Sequence, residues 1–238
     1  ANEVKPEFWL MGEVIHGDYK RWANPEMLDS VTNYECYKGI YSSHNDKNYF
    51  EINYSINRQF GNGGIYQGIN LYNFVDNHDV DRIASILEDK EDLPLIYGLM
   101  EAMPGIPCIY YGSEWGEEGV KAPDNDYALR PCFEEPKPNE LTDFIKDLIE
   151  VRRNSDALCN GSYRNVVITN HQLIFERRTD NERVLVAINA GDSEFTAGNG
   201  ELQGNFTELL ANEDAEETVT LNGQLTMPAY SVQFLKAV

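Results

Sequence analysis

The sequence predicts an α/β fold followed by an all-β antiparallel domain, and two observations carry the prediction. From Phe8 to about Asp156, short apolar runs alternate with longer segments of helical periodicity, the pattern of βα units with parallel strands. From about Leu158 the texture changes to short runs separated by Asn-His, Asp-Asn and glycine-rich turns, which marks antiparallel β structure. The expected domains are 1–157 and 158–238, and 238 residues suffice for two cores.

Residues 8–15 read as a buried strand. Tyr49, Ile52, Ile56 and Phe60 recur at helical spacing after Asp46 as the expected cap, with Gly61 where a helix C-terminal glycine belongs. Residues 71–75 form the next strand, a helix over 95–103 must stop at Pro104 and Gly105, and 107–111 form the third strong strand. Past a loop rich in Gly, Asp and Pro, Leu141, Phe144, Ile145, Leu148 and Ile149 line one face of a helix ending near Asn154. Strands are then expected at 165–169, 172–178, 183–189, 205–210, 217–221 and 231–236, making a small β-sandwich.

Composition excludes several function classes. Lys and Arg total 19 against 40 for Asp and Glu, and a net charge of -21 repels phosphate backbones and anionic membranes. Nucleic acid and membrane are therefore not expected partners. The four cysteines form neither a CxxC pair nor a dense framework, so free thiols are expected. Nothing near the start reads as a charged n-region followed by an apolar h-region, and no apolar run approaches the roughly 20 residues of a membrane span. A soluble chain is expected, with the cytoplasm favoured over secretion. The four histidines lack metal-ligand spacing, so neither a metal nor a cofactor is expected.

Two segments carry candidate chemistry. In Leu10-Met11-Gly12-Glu13-Val14-Ile15-His16-Gly17-Asp18, a carboxylate sits within an apolar strand and polar residues follow. Low-dielectric walls disfavour a charged carboxylate, which suits Glu13 to general-acid work, while a strand-end Glu paired with an Arg is the equal alternative. In Asn73-Phe74-Val75-Asp76-Asn77-His78-Asp79-Val80-Asp81-Arg82, a strand again runs into polar residues. There His78 and Asp79 suit a bound polyol, although taken singly Asp79 reads better as the cap of a helix over 80–87. Taken together, two carboxylates at the ends of parallel strands two βα units apart suggest glycoside hydrolysis.

The order of these motifs resembles the α-amylase family of retaining glycoside hydrolases. Gly12-Glu13-Val14 with His16 is similar to the family's acid/base strand, the fifth of its barrel, and Phe74-Val75-Asp76-Asn77-His78-Asp79 to its seventh-strand signature. Residues 104–114, Pro-Gly-Ile-Pro-Cys-Ile-Tyr-Tyr-Gly-Ser-Glu, resemble the eighth-strand segment, and Ala128-Leu129-Arg130-Pro131 the loop after it. The resemblance covers essentially the whole chain and implies about strands 5 to 8 of a (β/α)8 TIM barrel followed by the β-domain. It implies Glu13 as acid/base and Asp79 as stabiliser of the oxocarbenium-like transition state. It also implies His78, His16, Asp126 and Arg130 as substrate-binding residues. The sequence departs from the pattern at Ile15, where relatives commonly carry an aromatic residue.

A larger departure is the nucleophile, which the family takes from an Arg-x-Asp context ahead of the acid/base strand. Only seven residues precede Phe8, and Glu3 and Glu7 lack that context, so the chain alone is expected to be inactive. Four βα units cannot close a barrel, which predicts either a self-dimer through open strand edges or association with the missing N-terminal half-barrel. The substrate partner implied is an α-glucan or oligosaccharide. A carbohydrate-binding or interaction module without catalysis is the competing expectation. Three further features carry bland readings: Gly61-Asn62-Gly63-Gly64 as a turn rather than a phosphate loop, Asp124-Asn125-Asp126 as a solvated acidic loop rather than a calcium site, and 213–217 as a solvated face.

Overall fold

The computed structural model describes residues 1, 3–210 and 218–238. The acidic stretch expected at 213–217 therefore lies outside the described residues.

Four short strands run parallel in chain order: β1 (Met11–Gly12), β2 (Ser30–Val31), β3 (Tyr72–Asn73) and β4 (Ile106–Pro107). Met11 pairs with Ser30, Thr32 bridges Tyr72, and Tyr72 pairs with Ile106. Single bonds extend each ladder beyond its strand, including Thr32 N to Gly12 O at 3.1 Å, Asn33 N to Tyr72 O at 2.9 Å and Cys108 N to Asn73 O at 2.8 Å. The strand expected at 71–75 is thus present but shorter, and that expected at 107–111 lies at 106–107. The one expected to be buried at 8–15 shrinks to two residues with Phe8, Trp9, Met11 and Ile15 exposed, because β1 is an edge with no neighbour on its other side among the described residues. Among the described residues β1 and β4 pair on one side only.

Helices α1 (Tyr34–Asn45) and α2 (Tyr49–Phe60) lie between β2 and β3, α3 (Ile83–Ile86) and α4 (Asp92–Ala102) between β3 and β4, and α5 (Glu140–Arg153) and α6 (Asp156–Asn160) after β4. Strand β2 and helix α1 are additions to the expected order. Asn33 opens α1 by accepting from Cys36 N at 3.2 Å. Asp46 closes α1 instead of capping α2, whose N-terminal neighbour is Asn48. Gly61 does end α2, with extended backbone, because a Cβ there would stand 2.6 Å from Asn57 O.

Helix α4 is buried on all sides, which explains its apolar texture between Asp92 and Glu101. Gly98 lets it approach the second region closely, since a Cβ there would meet the Val232 methyls at 3.0 Å. Its carbonyl end is met by two buried guanidiniums. Arg152 of α5 donates to Glu101 O, to Met103 O at 3.2 Å and to Gly105 O at 2.6 Å. Arg177 donates to Ala102 O at 2.5 Å and to Gly161 O at 2.9 Å. Cations at a helix C-terminus complement its dipole and its orphan carbonyls.

The second region comprises β5 (Ser162–Ile168), β6 (Gln172–Arg178), β7 (Arg183–Asn189), β8 (Phe195–Glu208), β9 (Thr218–Met227) and β10 (Ser231–Ala237), in the order β5-β6-β7-β10-β8-β9 and antiparallel throughout. One continuous sheet curls over itself. Asn199 of β8 reaches Val166 O of edge strand β5 at 2.8 Å, and Val167, Phe206 and Leu225 share an inner core. The opposite face presents Leu173, Phe175, Val186 and Phe234 to the α/β region, so one core runs through both. Alternation along β6 and β7 divides the two faces, as the period of two requires. All four cysteines are free. No described helix is long and apolar enough to cross a membrane.

Candidate active site

Glu13 follows β1 directly. Its backbone neighbourhood is stapled to the end of β2, where Val14 N donates to Thr32 Oγ1 at 2.8 Å and that hydroxyl donates back to Val14 O at 3.2 Å. The side chain itself is exposed, so the apolar walls expected around it are not present among the described residues. Its partner is Tyr34, the first residue of α1, whose hydroxyl donates to Glu13 Oε1 at 2.8 Å. Among the described residues Glu13 pairs with no Arg, so the alternative of a strand-end Glu paired with an Arg is not met there.

The ring of Tyr34 stands edge-on to Phe74 at 4.9 Å, and burial pushes its phenol up to about 12. It is therefore a neutral donor across ordinary pH. Asn33, one residue earlier, fixes this corner through a buried amide network, donating to Gln59 Oε1 and Asn73 Oδ1 at 2.9 Å each. Strand ends β2 and β3 are thereby held together, and buried amides so satisfied define one geometry.

Past β3 the chain turns around two side chains. Asp76 is buried, accepting from Ile83 N at 2.9 Å and from Ser113 Oγ at 2.8 Å, and burial raises its pKa above the usual aspartate value. It takes the role at the start of α3 that the sequence had offered to Asp79, which leaves Asp79 free of capping duty. Asn77 Oδ1 accepts from Asp79 N at 2.8 Å and Val80 N at 3.2 Å, while its Nδ2 donates to the Tyr34 hydroxyl at 3.1 Å.

The Asp79 carboxylate sits within a polar cluster. Oδ1 accepts from Arg130 Nη2 at 3.0 Å, and Oδ2 lies 3.3 Å from His78 Nε2. Arg130 also pairs with Asp126 Oδ2 at 2.7 Å and donates from Nε to His78 O at 3.2 Å. Beside Asp79 lies a shallow, widely open cleft bordered by Tyr37, Tyr41, Lys121 and Pro123. Aromatic walls with charged groups at one end suit a sugar chain.

Five of the six expected site residues are therefore linked: Asp79, His78, Asp126 and Arg130 directly, and Glu13 through Tyr34 and Asn77. His16 is not. It lies exposed beyond β1 and makes no hydrogen bond or ion pair among the described residues.

Residues not singled out from the sequence complete the site. Arg82 is fully buried and donates to Tyr111 O at 2.7 Å, Ser113 Oγ at 3.0 Å and Leu129 O at 2.9 Å, with its guanidinium 4.2 Å from the Tyr110 ring centroid. It ties the loops after β4 to the end of β3. The signal available was Asp76 itself, a carboxylate in an apolar strand that requires a buried donor.

A family model described as the α-amylase catalytic domain matches residues 1–157, and one described as the α-amylase C-terminal all-β domain matches 165–238. A cyclomaltodextrinase of Thermoanaerobacter pseudethanolicus is 27% identical over 218 residues, covering 88% of this chain and 37% of its own length. An intracellular maltogenic amylase of Bacillus subtilis is 26% identical over 190 residues, covering 76% of this chain and 32% of its own. The chain thus spans about a third of the length of these curated relatives. Among solved structures, an α-amylase of Geobacillus thermoleovorans complexed with acarbose superposes with a TM-score of 0.82 at 20% identity, over 99% of this chain and 54% of that one. An Anoxybacillus α-amylase superposes with a TM-score of 0.81 at 22% identity, over 99% and 53%. These likenesses establish the fold.

Proposed function

The chain belongs to the α-amylase family, and on that premise we propose that it is the acid-bearing half of a glycoside hydrolase acting on α-glucans, cyclodextrins or maltooligosaccharides. Residues 1–157 are the second half of a (β/α)8 barrel, with β1 to β4 as its fifth to eighth strands, and 158–238 the accompanying β-domain. The mechanism is retaining. Glu13 protonates the glycosidic oxygen and later deprotonates water or an acceptor hydroxyl, and Asp79 stabilises the oxocarbenium-like transition state. His78, Asp126 and Arg130 bind sugar hydroxyls, and His16 borders the far side of the cleaved bond. The nucleophile, which must stand about 5–5.5 Å from the acid on the opposite face of the sugar, comes from a half-barrel outside these residues.

One observation carries the reading: Glu13 and the Asp79 turn, 66 positions apart in the chain, join through Tyr34 and Asn77 at the ends of parallel strands. The test completes the chain with a nucleophile-bearing N-terminal half and assays maltooligosaccharides and cyclodextrins. The chain alone should show no turnover, the completed enzyme should turn over, and Glu13→Gln should lower kcat about 10³-fold. Near-normal activity of that variant removes Glu13 from the role.

A carbohydrate-binding module without catalysis is the second reading, favoured by the open cleft between Asp79, Tyr37 and Tyr41. It predicts sugar binding without turnover even after completion.

A further inference from the structure

Asn77 has only one orientation that satisfies its neighbours. Its oxygen accepts from the backbone N–H groups of Asp79 and Val80, so its amide nitrogen must face Tyr34. The flipped amide would set donors against two backbone donors. A phenol that accepts from Asn77 has its single proton left for another acceptor, and Glu13 Oε1 stands 2.8 Å away. The donor order is one-directional, from Asn77 to Tyr34 to Glu13. The phenol is also fixed in place, with Phe74 edge-on at 4.9 Å and Tyr37 edge-on at 5.9 Å.

We infer that Tyr34 is a positioning residue that holds Glu13 Oε1 as a permanent acceptor and so confines the transferable proton of Glu13 to Oε2. The inference rests on the reading of Glu13 as general acid and deepens it. A carboxyl group free to rotate presents its proton from either oxygen. With one oxygen engaged, the same atom, Oε2, gives the proton to the departing sugar and takes it back from the incoming hydroxyl. Because Asn77 also shapes the turn that carries Asp79, the relay sets the acid and the stabiliser in one frame. Preorganisation of this kind acts on the chemical step rather than on ground-state binding.

The experiment follows the Glu13 carboxyl carbon by NMR titration in the 238-residue chain labelled with carbon-13 glutamate, the signal being assigned with Glu13→Gln. A donor to a carboxylate favours its ionised form. Tyr34→Phe should therefore raise the Glu13 titration midpoint, because the carboxylate loses the hydroxyl donor on Oε1. Site-specific 3-fluorotyrosine at position 34 keeps the shape of the ring and strengthens the donor, so it should lower the midpoint. The fluorinated chain decides the matter where Tyr34→Phe fails to fold. A midpoint that moves in neither variant overturns the inference. No arm requires turnover, so that outcome is separate from a failure of the general-acid reading, which shows instead as undiminished activity of Glu13→Gln in the completed enzyme.

Discussion

Arg130 Nη2 stands 3.0 Å from Asp79 Oδ1, and the same guanidinium reaches Asp126 at 2.7 Å. The two pairs are roughly half exposed, and exposed ion pairs contribute little to folding. Their geometry fixes instead where the Asp79 carboxylate points.

Arg130→Met in the completed enzyme should therefore lower kcat/KM about 10- to 100-fold while leaving the unfolding free energy within about 1 kcal/mol of the parent. Steady-state kinetics and urea denaturation on the same preparations measure both. A large loss of stability with unchanged kcat/KM would assign Arg130 to the scaffold.

Glu101 supplies a pH dependence of stability. Its side chain is 2% exposed in α4, and burial raises its pKa to about 7, only partly offset by the charge of Arg152. The unfolded carboxyl ionises near 4.5 whereas the folded one keeps its proton to about 7. Below the lower value both states are protonated and the group contributes nothing to the slope; between the two the unfolded state alone loses its proton. Stability should thus fall as pH rises from about 4.5 to about 7 and level off above. Glu101→Gln should remove this slope and exceed the parent at pH 8 by on the order of 3 kcal/mol. Parallel pH profiles in denaturation experiments would contradict it.

Arg177 joins the two regions by filling the carbonyl end of α4. Burial, reinforced by the nearby charge of Arg152, pulls its pKa down to about 9, so it remains a cation at neutral pH. Arg177→Leu strips the donor from Ala102 O and leaves Gly161 O and Ser162 O without the same guanidinium. A loss of about 3 kcal/mol is expected in chemical denaturation. Lysine should not restore it, because one ammonium cannot reproduce a planar fork. A change below about 0.5 kcal/mol would show that these carbonyls find other partners.

Strands β1 and β4 present unpaired edges among the described residues, and Trp9 and Met11 beside the first are 44% and 39% exposed. Sedimentation of the chain alone should reveal self-association, and titration with a nucleophile-bearing half should convert it to a one-to-one complex. A compact monomer that binds no apolar dye would count against both.

The α/β region, the β-domain and most of the site were legible because each carried a local signal. Residues 73–79 pass from buried apolar to polar within one turn, and the strands after Leu158 are short and alternating. Strand β2 and helix α1 carried no such signal. Ser30–Val31 offers one strongly apolar residue, and the buried face of α1 includes Cys36, Gly39, Ser42, Ser43 and His44 around a single isoleucine, Ile40. Distant partners make that polar face stable: Ser43 Oγ accepts from Ile52 N at 3.0 Å, and His44 is held by Ile40 O at 2.8 Å and the Tyr49 hydroxyl at 2.9 Å. Tyr34 was missed because it opens that helix. The first half of β8 carried no strand signal because Gly198 and Gly200 interrupt its pattern, whereas the sheet uses them in one long strand with a register shift between Gly198 and Gln203.

Phe175 and Phe234 of the sheet belong to the same apolar mass as Ile96, Leu99 and Met100 of α4. Peeling the sheet away would uncover a helix with no hydrophilic side to offer water, and the sheet would lose the surface that keeps its own outer phenylalanines dry. Heat should accordingly melt both regions in a single transition.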